Sequence, residues 1–216
     1  MFYVKLVLRL RVQFRRIGIR PAANSVQCPN RDFAENEMQP STVNIVRHIN
    51  FRPVRPGDAE FILSLRLDKA LGRFLSSVDD DPDAQRTWIV AYMERETQGR
   101  EYYYIIVDET GENIGTVRMY DFRNNSFSWG SWILKTGAPS YGAIESALLV
   151  YDIGFNQLGF DGCHFRVRKE NERTLAFHIK FGARVTGEDD VNKYFVIDRK
   201  ACAKARETYS KFLKSA

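Results

Sequence analysis

Residues 166–183 read "RVRKENERTLAFHIKFGA", and this stretch decides how the chain around it is organised. It begins inside an alternating run, "GCHFRVR" (162–168), whose period of two is that of a strand. At Asn171 the pattern changes. Asn171 is an N-cap residue, because its short side-chain oxygen satisfies an orphan amide of a helix's first turn. Glu172 then sets a negative charge at the positive end of the helix dipole. Gly182 suits the C′ position, where the chain leaves a helix with positive φ. Between these signals Thr174, Phe177, His178 and Phe181 share one helical face. His178 is therefore either a packed core residue or a side chain aimed into a site.

Upstream, "INFRPV" (Ile49–Val54) alternates as a strand, and Asp58 is predicted to cap a helix over "AEFILSLRL". Asp81-Pro82, a cap followed by an N1 proline, opens a second helix that presents Trp88, Ile89 and Tyr92 together. Three strand-like runs follow at 101–107, 113–122 and 126–134, joined by "DETGE" and "RNN", and predict an antiparallel meander. The loop "KTGAPSYG" (135–142) feeds a helix over 143–159, with Ile144, Ala147, Leu148 and Tyr151 at i, i+3, i+4, i+7. Downstream, "YFVID" (194–198) reads as a strand, and a closing helix is expected over 199–213, with Ala201, Ala205, Tyr209 and Phe212 on its apolar side. The order β-α-α-β-β-β-α-β-α-β, with that helix added, predicts an α+β fold with a mixed sheet.

The length of 216 residues suits one domain with an appendage. Three distant cysteines and three histidines support neither a disulfide framework nor a metal site, so no metal is expected and a reducing, cytoplasmic setting is inferred. No apolar run is long enough to span a membrane. The net charge of +5 is uneven: residues 1–50 carry eight Lys/Arg against three Asp/Glu, which accounts for all of it. A neutral body argues against nucleic acid as a partner. In "MFYVKLVLRLRVQFRRIGIRP" (1–21) the positions Val4, Leu6, Leu8, Leu10, Val12 and Phe14 alternate with polar or basic ones, the period of a strand and not of an amphipathic transit helix. Residues 21–45 read as linker, and Met38 stands as an alternative start. The expected organisation is a basic, poorly ordered extension over 1–48 and one domain over 49–216.

The segment "RVRKENERTLAFHIKFGA" resembles the V-x-x-x-N-x-x-A-x-x-(L/F)-Y-x-x-x-G-F pattern of the GNAT superfamily of N-acetyltransferases. Val167, Asn171, Phe177 and Gly182 match, while Thr174, His178 and Ala183 stand where the family has Ala, Tyr and Phe. The resemblance covers about 49–198. The early "FRPVRPGDAEFILSLR" and the Trp88 helix look like the branch that contains ribosomal-protein N-terminal and nucleotide-sugar amine acetyltransferases. The family loop (Q/R)-x-x-G-x-(G/A) is replaced: Thr136, Pro139 and Tyr141 stand at its motif positions.

The resemblance implies a GNAT-like, mostly antiparallel sheet flanked by helices, with acetyl-CoA as co-substrate and a primary amine as acceptor, whether amino sugar, peptide N-terminus or small metabolite. It implies that Trp132, Ile133 and Leu134 offer backbone to the pantetheine arm and polarise the thioester carbonyl. Gly137, Ala138, Ser140, Tyr141, Gly142 and Ala143 would cradle the pyrophosphate at a helix N-terminus, although Pro139 has no N–H to give. Asn171 and Phe177 would complete the contacts. His178, at the family's tyrosine position, would protonate the leaving thiolate, its reference pKa of ~6.5 lying below ~8.5 for a thiol. Asp121 and Glu145 are the carboxylates available as general base. Tyr120, Phe122, Phe127 and Trp129 either line an acceptor pocket or pack. A monomer or homodimer is expected. The rival reading is a non-catalytic module of the same fold that binds acetyl-CoA or a protein partner.

Overall fold

The computed structural model describes residues 48–213; the alternating stretch at 1–21, the linker-like 21–45 and Met38 lie outside them. β1 (Ile49–Pro53) leads through a 3-10 turn into α1 (Ala59–Leu67), and α2 (Pro82–Thr97) follows. β2 (Tyr102–Asp108), β3 (Asn113–Arg123) and β4 (Ser126–Leu134) form the predicted meander. Then come α3 (Gly142–Asp152), β5 (Gly162–Arg168), α4 (Glu172–Lys180), β6 (Arg184–Glu188), β7 (Asn192–Asp198) and α5 (Arg199–Thr208). All seven strands lie in one sheet, in the order β1-β2-β3-β4-β5-β7-β6.

Every neighbouring pair is antiparallel except β4 and β5, which run parallel. These two strands are in register at only two positions, Ser126 with Gly162 and Phe127 with Cys163. Beyond Phe127 they part, so the β5-facing edge of the rest of β4 is open.

Two bulges shape this part of the sheet. Opposite Val117 alone, β4 carries both Ser131 and Trp132, with Ser131 at φ +47° and its carbonyl accepting the Thr116 hydroxyl at 2.9 Å. Opposite Phe127 alone, β3 carries Asp121 and Phe122, with Asp121 at φ +52°. An extra residue bends its strand and re-aims side chains, and left-handed backbone is uncommon for residues other than glycine, asparagine and aspartate. Next to the first bulge, a Cβ on Gly115 would stand 2.3 Å from the Ile133 carbonyl oxygen, so only glycine fits there.

The sheet separates two cores. α1 and α2 pack Ile62, Ile89 and Tyr92 against Tyr103 and Ile105 of β2. On the other face α3, α4 and α5 pack against Trp129, Cys163, Phe165, Val167 and Phe195, while the alternate β5 residues Arg166 and Arg168 point away and are exposed. Cys163 and Cys202 are buried free thiols, and the described residues contain no group of metal ligands. No described helix is long and apolar enough to cross a membrane.

Three sequence expectations need correction. β6 was not anticipated; all five of its residues are exposed, so no buried face wrote a pattern into it. Asp58 does not cap α1: its carboxylate takes the forked guanidinium of Arg52 at 2.7 and 2.9 Å and the Arg55 amide at 2.8 Å. The helix expected to run to 159 ends at Asp152 and continues as a π-helical turn over Ile153–Gln157.

Candidate functional site

The loop after β4 begins with a tight turn in which the Ala138 amide donates to the Lys135 carbonyl, and Gly137 supplies the positive φ (+81°) it requires. The chain then enters α3 at Gly142. With no helix carbonyl before them, the amides of the first turn, at Ala143 and Ile144, are open to an outside acceptor. Asn171 caps α4 as the sequence indicated, its Oδ1 accepting the Thr174 amide at 3.2 Å, which leaves its NH2 group to donate elsewhere.

These elements enclose a cleft of about 610 Å³. Trp132, Ile133 and Leu134 of β4 form one wall. Gly137, Ala138, Ser140 and Ala143 form the loop end, and Asn171 and Phe177 come from α4. Nine of the eleven residues put forward for cofactor contact therefore meet in one hollow. Gly142 does not line it: this residue is buried, and a Cβ there would point at Leu134 and Ile114, 3.7 and 3.8 Å away. Tyr141 does not line it either, its ring stacking on His48 at 4.3 Å. The cleft also takes in residues that the sequence did not single out. Leu71, Phe74 and Leu75 come from the segment between α1 and α2, and Arg173 brings a cation to the α4 rim. Trp132 is held by its indole N–H donating to Ser146 of α3 at 3.0 Å and by Phe177, 5.0 Å between ring centroids.

Glu145, one of the two candidate bases, is completely buried. Its carboxylate accepts the backbone amides of His48 and Ile49 at 3.0 and 3.2 Å and lies 2.6 Å from His48 Nδ1. It fastens the start of β1 to α3 and has no access to a substrate.

His178 is 4 % exposed and stands among the rings of Trp129, Phe165, Phe177, Phe195 and Trp132. Its Nδ1 is buried without a hydrogen-bond partner, and burial pushes its pKa down to about 3. The ordinary imidazole pKa on which its expected acid role rested is thus corrected. Removing the ring from water penalises the imidazolium, and no carboxylate compensates. Phe177, not His178, lines the cleft.

Asp121 lies on the face of the sheet opposite α3. Its bulge turns the carboxylate across β4 toward β5, where Oδ2 is 3.0 Å from His164 Nε2, and Arg123 is also within ion-pair reach at 3.4 Å. His164 Nδ1 is 2.7 Å from the Ser126 hydroxyl. Sequence reading missed His164, because nothing local relates it to Asp121, 43 residues away. Phe127 and Trp129 are core residues, Phe122 packs on Phe160, and Tyr120 lies beneath the Arg118 guanidinium.

The open sheet is thus split between its fourth and fifth strands, and a cleft runs from that split to a helix N-terminus. Residues 48–184 match the family model described as an acetyltransferase (GNAT) domain, and the chain belongs to the GNAT acetyltransferases. Among solved structures it is similar to FdhC in its apo form, described as a nucleotide-linked sugar GNAT. The identity is 42 % over 79 % of this chain and 97 % of that one, with a TM-score of 0.72. Two others share the fold at low identity. Spermidine N-acetyltransferase from Vibrio cholerae, in complex with CoA and spermine, is 16 % identical over 72 % of this chain and 98 % of that one, TM-score 0.63. Ribosomal-protein-S5-alanine acetyltransferase from Vibrio fischeri is 14 % identical over 70 % and 93 %, TM-score 0.61. No curated protein sequence matches significantly.

Proposed function

We propose that the protein transfers the acetyl group of acetyl-CoA to the primary amine of an amino sugar carried on a nucleotide. The observation that supports it most directly is the cleft itself, which joins the open edge of β4 to the first turn of α3. Its donors suit the co-substrate. The backbone of Trp132–Leu134, unpaired on the β5 side, hydrogen-bonds an amide-bearing arm as a neighbouring strand would. The Ser140 hydroxyl, the Ala143 and Ile144 amides, the Asn171 NH2 group and the Arg173 guanidinium receive phosphate oxygens, while Pro139 contributes nothing. Bound there, acetyl-CoA supplies an activated carbonyl. The β4 amides hold the oxygen on which charge gathers as the amine attacks. The aromatic rings behind them keep water from the thioester.

The acceptor class rests on the 42 % identity to FdhC and on charge. Arg166 and Arg168 project from β5 beside the split, and among the described residues neither forms an ion pair. An acceptor with phosphates is drawn to that edge, and a polyamine is repelled from it.

Calorimetry with acetyl-CoA, followed by CoA release in the presence of a nucleoside-diphosphate-linked amino sugar, glucosamine or spermidine, tests the reading. Acetyl-CoA at about 100 times Kd is expected to stabilise the fold by about 2.7 kcal/mol, and turnover is expected to be fastest with the nucleotide-linked sugar. Absence of a thermal shift at millimolar acetyl-CoA rules the reading out. Binding without CoA release from any of the three acceptors leaves the non-catalytic module.

A further inference from the structure

On the sheet face opposite α3, β3 carries Thr116, Arg118 and Tyr120, and β4 carries Ser128 and Gly130. Arg118 marks the side, because its guanidinium lies over Trp88 of α2. Strand alternation puts Thr116 and Tyr120 with it, and Gly130 and Ser128 stand directly opposite Arg118 and Tyr120. A thioester arm that enters over the first turn of α3 and runs back along Leu134, Ile133 and Trp132 brings its acyl end toward Ser131 and Gly130, the next residues of β4. Most polar side chains here are committed elsewhere. The Thr116 hydroxyl donates to the Ser131 carbonyl at 2.9 Å, Arg118 is bound to the Glu101 carboxylate, and Ser128 is buried. Tyr120 is half-buried and remains.

Its phenol leans from β3 onto β4. The hydroxyl oxygen is 3.0 Å from the point where a Cβ on Gly130 would stand, and the ring atoms Cε1 and Cζ are 3.5 and 3.7 Å from it. The hydroxyl thus occupies space that any side chain at 130 would claim. The ring is braced from the other side by the Arg118 guanidinium, 5.3 Å from its centroid. Arg118 is itself fixed by Glu101, a buried carboxylate that also takes Arg95 Nε at 2.5 Å. Among the described residues no hydrogen bond holds the Tyr120 hydroxyl. A braced ring with an uncommitted polar end sets one donor and one acceptor at a fixed point beside β4.

We propose that the Tyr120 hydroxyl, seated over Gly130, binds the acceptor amine and aims its lone pair at the thioester carbonyl carbon. This rests on the acetyl-transfer reading above. The phenol oxygen accepts one N–H of the neutral amine and keeps its own proton, which it can give to a neighbouring oxygen of the acceptor. Holding the amine in one orientation saves the entropy of aligning it at each encounter. Tyr120 touches the acceptor; Gly130 and Arg118 act only by placing it. Arg166 and Arg168 are exposed on the same face across the split, so one acceptor can meet them and the phenol together.

The experiment measures CoA release with the best of the three acceptors, acetyl-CoA affinity by calorimetry and thermal melting, for wild type, Tyr120→Phe, Gly130→Ala and the double variant. Tyr120→Phe keeps the ring under Arg118. It is expected to lose about tenfold or more in kcat/KM for the acceptor, chiefly in kcat, with acetyl-CoA affinity and melting unchanged. Gly130→Ala pushes on the hydroxyl and is expected to show a similar loss. In the Phe background the new methyl meets only ring carbons at ordinary contact distance, so the double variant is expected within about twofold of Tyr120→Phe. If wild type turns over and Tyr120→Phe keeps kcat/KM within about twofold, the proposal is overturned and the acetyl-transfer reading stands. Losses that multiply in the double variant overturn the seating over Gly130, and a Tyr120→Phe loss matched by weaker acetyl-CoA binding assigns the hydroxyl to the co-substrate instead. A wild type that turns over none of the acceptors removes both.

Discussion

The ring centroids of His178 and Phe165 are 4.3 Å apart, which puts a titratable side chain of α4 directly over an aromatic residue of β5. Trp129 of β4 closes on the same imidazole at 5.4 Å. The ring therefore roofs the split between the two strands with apolar surface around it.

This neighbourhood makes folding depend on pH. In the unfolded chain His178 takes a proton below ~6.5, whereas in the folded protein burial holds its pKa at about 3. Between those values the unfolded state binds one more proton, so stability falls as pH falls, by about 1.4 kcal/mol per pH unit from this residue. His178→Phe removes that contribution. Urea unfolding of both proteins at pH 7, 6, 5 and 4 is expected to show the variant losing less stability on acidification. Parallel curves down to pH 4 would refute the neutral, desolvated ring.

The same burial bears on catalysis. A ring that stays neutral at working pH carries no imidazolium proton for a thiolate, which leaves readily without help. His178→Phe is expected to keep kcat within about threefold, where loss of a general acid would cost about 100-fold. Acetylation rates measured on a variant shown to be folded decide the point. A fall of about tenfold or more would restore His178 as a proton donor through its neutral N–H.

Glu145 carries a structural prediction. Its carboxylate gathers two backbone amides and the His48 ring from the head of β1 in a fully buried position. Glu145→Ala leaves those amides without an acceptor, and unsatisfied buried donors cost about 1–3 kcal/mol each. A loss of about 3 kcal/mol is expected from urea unfolding, and Glu145→Gln, which keeps one acceptor oxygen, is expected to lose about half of it. Equal stability of Glu145→Ala and wild type would show that β1 is held by its pairing with β2 alone.

What the sequence made legible follows from what kind of signal each feature leaves. α2 and α4 were readable to the residue at their starts, because Asp81 and Asn171 cap them through contacts two or three residues away. The strands with one buried face were readable by alternation. β6 has no buried face and left no trace. The bulges at Asp121 and Ser131 were invisible, since each arises from a mismatch with another strand and not from its own residues. The cleft walls were found through family resemblance, but the polar pairs made between distant parts of the chain were not. Glu145 meets His48 across 97 residues, and Asp121 meets His164 across 43. Local patterns carry no record of such pairs. Asp58 misled for the same reason: a cap signature is local, and the Arg52 fork that claims its carboxylate depends on how β1 turns into α1.

The phosphate end of the cleft can be tested without disturbing the fold. Gly142 is unsuitable, because it is buried and an added carboxylate would be pressed against Leu134 and Ile114. Ser140 is exposed and lines the cleft, so Ser140→Asp adds a negative charge where phosphate oxygens are expected, at little cost to folding. Two like charges about 4–6 Å apart near a protein surface repel by about 1–3 kcal/mol, depending on the local dielectric. Acetyl-CoA affinity measured by calorimetry is therefore expected to fall by about tenfold or more, and to recover partly at high salt, which screens the repulsion. Ser140→Asn, equal in shape and uncharged, is expected to bind within about threefold of wild type, since only one hydrogen-bond donor is exchanged for another. Unchanged affinity in Ser140→Asp would place the phosphates away from the first turn of α3. Equal losses in both variants would assign the effect to shape and not to charge.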